Sequence, residues 1–88
     1  MENCLIGRIV ESMCGHDAGK RFLVVSEDEV FVYLSDGKVR TLSEPKRKKR
    51  KHVTVCNLMV SEVLVDKLRK NTKVYDHEII HALKSANK

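Results

Sequence analysis

The hydrophobic residues of this chain change their spacing near residue 58, and this change limits the folds open to it. Before residue 58, short apolar segments alternate with polar residues at period two, as in half-buried strands. After it, Val60, Leu64 and Leu68 recur at helical spacing. Because the chain has only 88 residues, it has room for one small domain with short strands followed by short helices.

Turn residues divide the first part of the chain into strands. We predict five strands, at 4–13, 20–26, 29–35, 38–42 and 52–57. Asp36-Gly37 is the strongest hairpin signal. In the third strand Phe31 and Tyr33 share one face. We expect the appended helices to cover these two rings, although the rings could instead stack on nucleic-acid bases.

Polar residues mark the ends of two predicted helices. Ser61 can cap the first helix and Asn71 can end it. Asp76 can cap the second. The predicted fold is therefore mainly β: a small barrel or sandwich at 1–57, with residues 58–88 forming a two-helix C-terminal extension packed on it.

The positive charge is concentrated in one segment of the chain. Residues 38–52 contain eight Lys or Arg and one acid, a net charge of +7. The remaining residues have nine Lys or Arg and eleven acids, a net charge of −2 within the total of +5. Most of this charge is in residues 46–51, six consecutive cations that we call the basic run.

Six adjacent like charges cannot share one buried face, so we predict that the basic run lies in a solvated loop at 43–51. Nucleic acid is the polyanion best suited to such a loop. If six phosphates were neutralised, affinity would fall on the order of a thousandfold between 50 and 200 mM salt. The alternatives are a solubilising loop, an acidic protein or anionic lipid as partner, and, in a eukaryote, a nuclear import signal at 45–51.

Residues 7–25, with Gly15, Asp17, Gly19 and Lys20 at their centre, resemble a KOW motif. The resemblance covers roughly residues 4–57 and is strongest to the branch that contains large-subunit ribosomal proteins of eukaryotes and archaea and their small bacterial relatives. It implies a five-stranded SH3-like barrel that binds RNA. Residues 58–88 resemble no family as specifically.

The glycine-containing turn has a physical interpretation of its own. Gly15 and Gly19 can adopt positive φ, and free N–H groups in such a turn can form an anion-binding concavity. The glycines could equally serve only to shape the turn, and we expect His16 to face solvent. The candidate RNA-binding cations beside this turn and along the basic run are Lys20, Arg21, Lys38, Arg40, Lys46, Arg47, Lys48, Lys49, Arg50 and Lys51.

One motif points towards an enzyme. His77-Glu78-Ile79-Ile80-His81 matches the H-E-x-x-H pattern of zinc proteases. The apolar side of the predicted helix centres on Ile79 and Ile80, so the two histidines lie opposite the core, with no obvious third ligand. The three cysteines have no metal-ligand spacing. We therefore expect no catalytic residues, no metal and no cofactor.

The sequence predicts a non-catalytic RNA-binding protein, with structured ribosomal RNA as the expected partner and a role in translation. The alternative is a protein-interaction module that contacts ribosomal proteins, transcription machinery or ribosome-assembly machinery. We expect no small-molecule substrate. The isolated cysteines and the absence of a visible secretory signal or long apolar segment favour the cytoplasm over a membrane.

Overall fold

The computed structural model describes residues 4–86, which form five strands and two α-helices. The strands are β1 (Ile9–Ser12), β2 (Arg21–Glu27), β3 (Phe31–Ser35), β4 (Lys46–Lys49) and β5 (Val53–Val55). The helices are α1 (Glu62–Arg69) and α2 (Asp76–Ala86). The predicted number of strands and helices is confirmed. Helix and strand contribute similar amounts of structure, so the fold is a small mixed one rather than mainly β.

The five strands form one antiparallel sheet in the order β4-β3-β2-β1-β5. Although β4 and β5 are at opposite edges, only the 3₁₀ turn Arg50–His52 connects them. Because a residue spans at most about 3.6 Å, the sheet must curl until its two edges come close together. The edges do not pair in residues 4–86, and the sheet is unclosed.

Alternation along the strands buries side chains on both faces of the sheet. The inner, concave face holds a cluster of Val10, Phe22, Val24, Val32 and Leu34. On the outer face, strand residues Ile9 and Leu23 pack against helix residues Leu64, Ile79 and Ala82. Without the helices, Ile9 and Leu23 would be exposed to water on the outer face. The two helices are therefore needed to complete the core.

The predicted strand at 38–42 does not form, because the chain closes on itself after Asp36. Asp36 Oδ1 accepts hydrogen bonds from the N–H groups of Lys38 (2.9 Å) and Arg40 (3.0 Å). The Asp36 N–H donates to the Arg40 carbonyl. These local bonds replace a strand ladder, and Val39, the apolar residue between Lys38 and Arg40, is 79% exposed. The fourth strand lies further along the chain, at Lys46–Lys49.

Asn71 terminates α1 as predicted. Its φ of 58° is left-handed, its N–H donates to the Leu68 carbonyl, and the Thr72 N–H donates to the Lys67 carbonyl. This pair of bonds is a Schellman motif. Ser61 is at the predicted N-cap position of α1, but its side chain makes no capping hydrogen bond.

Asp76 is the first residue of α2 and ties this helix to the connection between β3 and β4. Its Oδ1 accepts a hydrogen bond from the Leu42 N–H at 2.8 Å. The turn at Gly37 lies so close to α2 that a Cβ there would be 2.6 Å from the Asp76 carbonyl oxygen. The helices therefore hold the connection between β3 and β4 in place. No helix in residues 4–86 is long and apolar enough to cross a membrane.

Candidate nucleic-acid interface

The basic run is not a loop. Residues Lys46–Lys49 form the edge strand β4, and Arg50–His52 form the 3₁₀ turn that follows. The prediction of a solvated loop at 43–51 was wrong because a strand points alternate side chains to opposite faces. The like charges are thereby divided between two faces. The cations of one face are bound to acceptors in the protein, and those of the other are exposed to solvent.

Lys46, Lys48 and Arg50, which we call the tethered cations, are half-buried and bound to acceptors in the protein. Lys46 Nζ lies 3.2 Å from Asp17 Oδ2. The contact is an ion pair outside hydrogen-bond geometry, and Oδ2 has no other partner in residues 4–86. Lys46 therefore compensates the charge of a buried carboxylate in the glycine-containing turn.

Asp17 remains charged because cations surround it. Burial raises the pKa of this carboxyl, but the interaction with Lys46 and the charges of Lys48 and Arg40 outweigh burial and hold the pKa below its ordinary value. The turn predicted to bind an anion thus holds an anionic side chain of its own. This carboxylate attracts Lys46, Lys48 and Arg40, so their charges are partly compensated within the protein.

Lys48 reaches from β4 across the curled sheet to the end of β1. Its Nζ donates to Ser12 Oγ at 2.9 Å and to the Cys14 carbonyl at 2.8 Å. A Cβ on Gly15 would lie 3.7 Å from the same Nζ. Both acceptors are neutral, and the two hydrogen bonds tie the edge strand β4 to the turn.

Arg50 is bound at the other end of the run. Its Nη1 donates to Glu27 Oε1 at 2.6 Å and to the Asp28 carbonyl at 3.2 Å. The Leu5 N–H donates to the same carboxylate oxygen at 3.0 Å. Although burial raises the pKa of Glu27, the bonds from Leu5 and Arg50 outweigh it and hold the pKa below its ordinary value.

Arg47, Lys49 and Lys51, which we call the exposed cations, are accessible to solvent. Arg47 Cζ lies 4.5 Å from the centroid of the Phe31 ring, within cation–π range. In the β3–β4 register, Arg47 is opposite Tyr33 and Lys49 is opposite Phe31. The exposed part of the basic run therefore lies beside two aromatic rings.

We expected the helices to cover Phe31 and Tyr33, but neither ring becomes part of the core. Both rings are half-buried and neither belongs to a core cluster. Tyr33 lines a cleft of about 350 Å³ with Leu68 of α1 and Val74 of the α1–α2 connection, among others. Its hydroxyl donates to Asp28 Oδ2 at 3.1 Å.

The glycine-containing turn uses several of its N–H groups internally. Gly15 and Gly19 adopt positive φ, 79° and 87°. The N–H groups of Ala18, Gly19 and Lys20 donate to backbone carbonyls within or next to the turn. These three groups are thus occupied, which favours the interpretation that the glycines shape the turn. His16 is exposed, as expected.

The remaining predicted RNA-binding cations lie elsewhere. Lys20 and Arg21 line a cleft of about 440 Å³ that also contains the acids Glu11 and Asp36. Lys38 is exposed and lines another hollow with Lys84 of α2. Arg40 is half-buried, and its charge acts on Asp17.

The H-E-x-x-H motif lies on α2, and its glutamate has a structural role. Glu78 Oε2 accepts a hydrogen bond from the Tyr75 N–H, and Oε1 accepts one from Lys67 Nζ, both at 3.1 Å. These two bonds hold the pKa of Glu78 below its ordinary value, and the bond from Tyr75 has the larger effect. His77 and His81 are exposed. In the part of the chain described, no three His, Cys, Asp or Glu side chains are arranged to hold a metal ion.

Three partners of the basic run were missed at the sequence level: Ser12, Glu27 and Phe31. Ser12 and Glu27 are far from the run in sequence, and only the curl of the sheet brings them to it. A correct register for β4 against β3 would have placed Phe31 beside Lys49. The local signal for that register was hidden, since six cations without an apolar residue show no alternation.

The sequence matches no protein-family model, and it matches no curated protein. The charges and geometry of the basic run and its neighbours are therefore the observations that bear on function.

Proposed function

We propose that this protein binds RNA without catalysis, through the exposed cations Arg47, Lys49 and Lys51. The observation that carries the proposal is their exposure along the edge strand β4 and the 3₁₀ turn that follows it, where the other cations are tethered. Tethering fixes the backbone of β4. The exposed cations are therefore presented from a defined surface, and less conformational entropy is lost on binding than for a free basic loop.

The fold is compatible with the resemblance of residues 7–25 to a KOW motif. The strand order and the short 3₁₀ connection between β4 and β5 are features expected of an SH3-like barrel, which we propose for this curled sheet. On that basis structured ribosomal RNA is the proposed partner. The helices on the outer face leave the exposed cations accessible.

The division of the basic run changes the expected salt dependence. Two tethered cations, Lys46 and Arg50, are paired with carboxylates, and the third, Lys48, donates to Ser12 and Cys14. The three exposed cations are therefore left as the main phosphate contacts. For about three neutralised phosphates the logarithmic salt slope is about −2.7 on a duplex. Affinity should then fall about 40-fold between 50 and 200 mM salt, in place of the thousandfold that six phosphates would give.

The test is the binding of a structured large-subunit ribosomal RNA fragment, measured by fluorescence anisotropy over a salt series. The variant R47Q/K49Q/K51Q removes the exposed cations. The matched control R8Q/K70Q/K84Q removes the same charge from three exposed residues elsewhere. We expect the first variant to lose most of the affinity and most of the salt slope, and the control to keep both.

An equal loss in both variants would show that net charge alone drives binding, and it would contradict the proposed site. Absence of binding by the wild-type protein at low salt would contradict the proposed function itself. Thermal unfolding of both variants verifies that they are folded.

A groove between α1 and α2 favours a second candidate, a protein-interaction module. It has a volume of about 300 Å³ and is lined by Met59, Val63 and Leu64, among others. Met59 is 89% exposed and Val63 66%, and such apolar surface is typical of protein contacts. Capture of ribosomal or transcription proteins that persists at high salt, and is lost in M59S/V63S, would favour this candidate over RNA.

A further inference from the structure

Arg47 and Phe31 form a contact that phosphate binding does not require. The Arg47 Cζ is 4.5 Å from the Phe31 ring centroid, whereas Arg47 as a whole is exposed. The guanidinium therefore lies over the ring, on a residue that stays accessible to solvent. A guanidinium is planar and stacks on flat π-systems, which a lysine ammonium cannot do.

The turn before β3 holds the aromatic partner in place. Asp28 Oδ1 accepts hydrogen bonds from the N–H groups of Phe31 at 2.7 Å and Val30 at 2.9 Å. Asp28 Oδ2 accepts one from the Tyr33 hydroxyl at 3.1 Å. One carboxylate thus binds the Phe31 backbone and the Tyr33 hydroxyl, and the surface under Arg47 is preorganised.

Asp28 also offsets part of the charge of Arg47, which remains one of the three proposed phosphate contacts. Hydrogen bonds from the Phe31 and Val30 N–H groups, and to a smaller extent the charge of Arg47, hold the pKa of Asp28 below its ordinary value. The carboxylate is therefore ionised at neutral pH, and its field opposes the attraction of phosphate to Arg47. It does not alter the flat surface of the guanidinium.

Lys49 supplies the phosphate contact beside this pair. It is opposite Phe31 in the β3–β4 register and is exposed. A nucleotide whose phosphate binds Lys49 would bring its base close to the Arg47–Phe31 pair. The bases of a duplex are stacked within the helix and cannot reach such a surface, whereas those of loops and bulges can.

We infer that Arg47, supported by Phe31, stacks against an unpaired base, so that the basic face selects single-stranded segments of the RNA it binds. The inference rests on the proposed RNA-binding function. It adds a recognition element that depends on the shape of Arg47 and not on its charge.

The experiment compares two probes, an unstructured pyrimidine RNA oligonucleotide and an RNA duplex of the same length. The variant R47K keeps the charge and removes the planar group. The control K49R keeps the charge at the neighbouring exposed position. For R47K we expect a loss on the order of tenfold for the single strand, the effect of one stacked base. Duplex affinity and both salt slopes should stay unchanged, and K49R should retain the wild-type preference.

A second variant, F31L, removes the supporting ring and should reduce single-strand affinity while leaving duplex affinity unchanged. Its folding is checked by thermal unfolding, and R47K remains informative if F31L is unstable. Equal effects of R47K on both probes, or no effect on either, would overturn the inference while RNA binding itself stands. If the wild-type protein bound neither probe nor the ribosomal RNA fragment, the proposed function would fail together with it.

Discussion

Replacing Lys48 and Lys49 separately by methionine tests whether the basic run is divided between two faces. Methionine keeps most of the aliphatic stem and removes the ammonium, so both variants lose one positive charge. Lys48 Nζ donates two hydrogen bonds, to Ser12 Oγ and to the Cys14 carbonyl. Lys49 is exposed at the adjacent position. The two variants therefore differ mainly in the face from which the charge is removed.

The expected destabilisation follows from these two bonds. A hydrogen bond from a charged group contributes about 1.5–3 kcal/mol, but Lys48 is only half-buried, and Ser12 Oγ keeps a bond to the Cys14 carbonyl at 3.2 Å. We therefore expect K48M to lower the free energy of unfolding by about 2 kcal/mol in total. For a domain of this size that lowers Tm by about 8–16 °C. K49M should stay within about 0.5 kcal/mol of wild type.

Thermal unfolding, monitored by circular dichroism, gives the Tm of each variant. Urea unfolding gives the free energy of unfolding as an independent measure. RNA binding provides the complementary reading, because K49M should weaken binding more than K48M once both are measured well below their Tm. Equal stability losses in the two variants would refute the division of the run into tethered and exposed cations.

Three further predictions test the fold around the site. Because the pKa of Asp17 is lowered, its ionisation stabilises the protein above the ordinary value of 3.8, and this contribution is lost as pH falls through the folded-state pKa. D17N should lower Tm at pH 7 and flatten the dependence of Tm on pH in that acid range; an unchanged profile would argue against the ion pair. G37A should cost more than about 2 kcal/mol, since a Cβ would meet the Asp76 carbonyl. In G19A the new Cβ has no atom within 4 Å, so the free energy of unfolding should fall by only about 1 kcal/mol, from backbone strain. A larger loss for G19A than for G37A in urea unfolding would contradict the packing of the Gly37 turn on α2. N71A should cost about 1 kcal/mol in the same assay and N71G almost nothing, because the residue needs left-handed φ; equal losses would count against the Schellman cap.

Local chemistry determined several elements that could be predicted from the sequence. Period-two alternation indicated β2 and β3, and helical spacing indicated both helices. Asn71 was predictable as a helix end because few residues tolerate the left-handed conformation that it adopts. These features depend on residues close together in the chain, so the sequence alone contains the necessary information.

The fourth strand could not be predicted, because its stability comes from distant partners. Residues 38–42 have an apolar residue between cations and resemble a strand, but Asp36 binds their N–H groups. Residues Lys46–Lys49 have no apolar pattern, yet they pair with four of the five residues of β3. Backbone pairing with a neighbouring strand outweighs local propensity here.

The sequence by itself determined that a concentrated positive charge follows a short β-rich segment, and that two helices complete the domain. Only the tertiary structure decided which cations remain accessible. The curl of the sheet brings Asp17, Ser12 and Glu27 to one side of β4, while the other side stays exposed beside Phe31. Charge is a property of composition, but its availability to a partner depends on which acceptors the fold places within hydrogen-bonding distance.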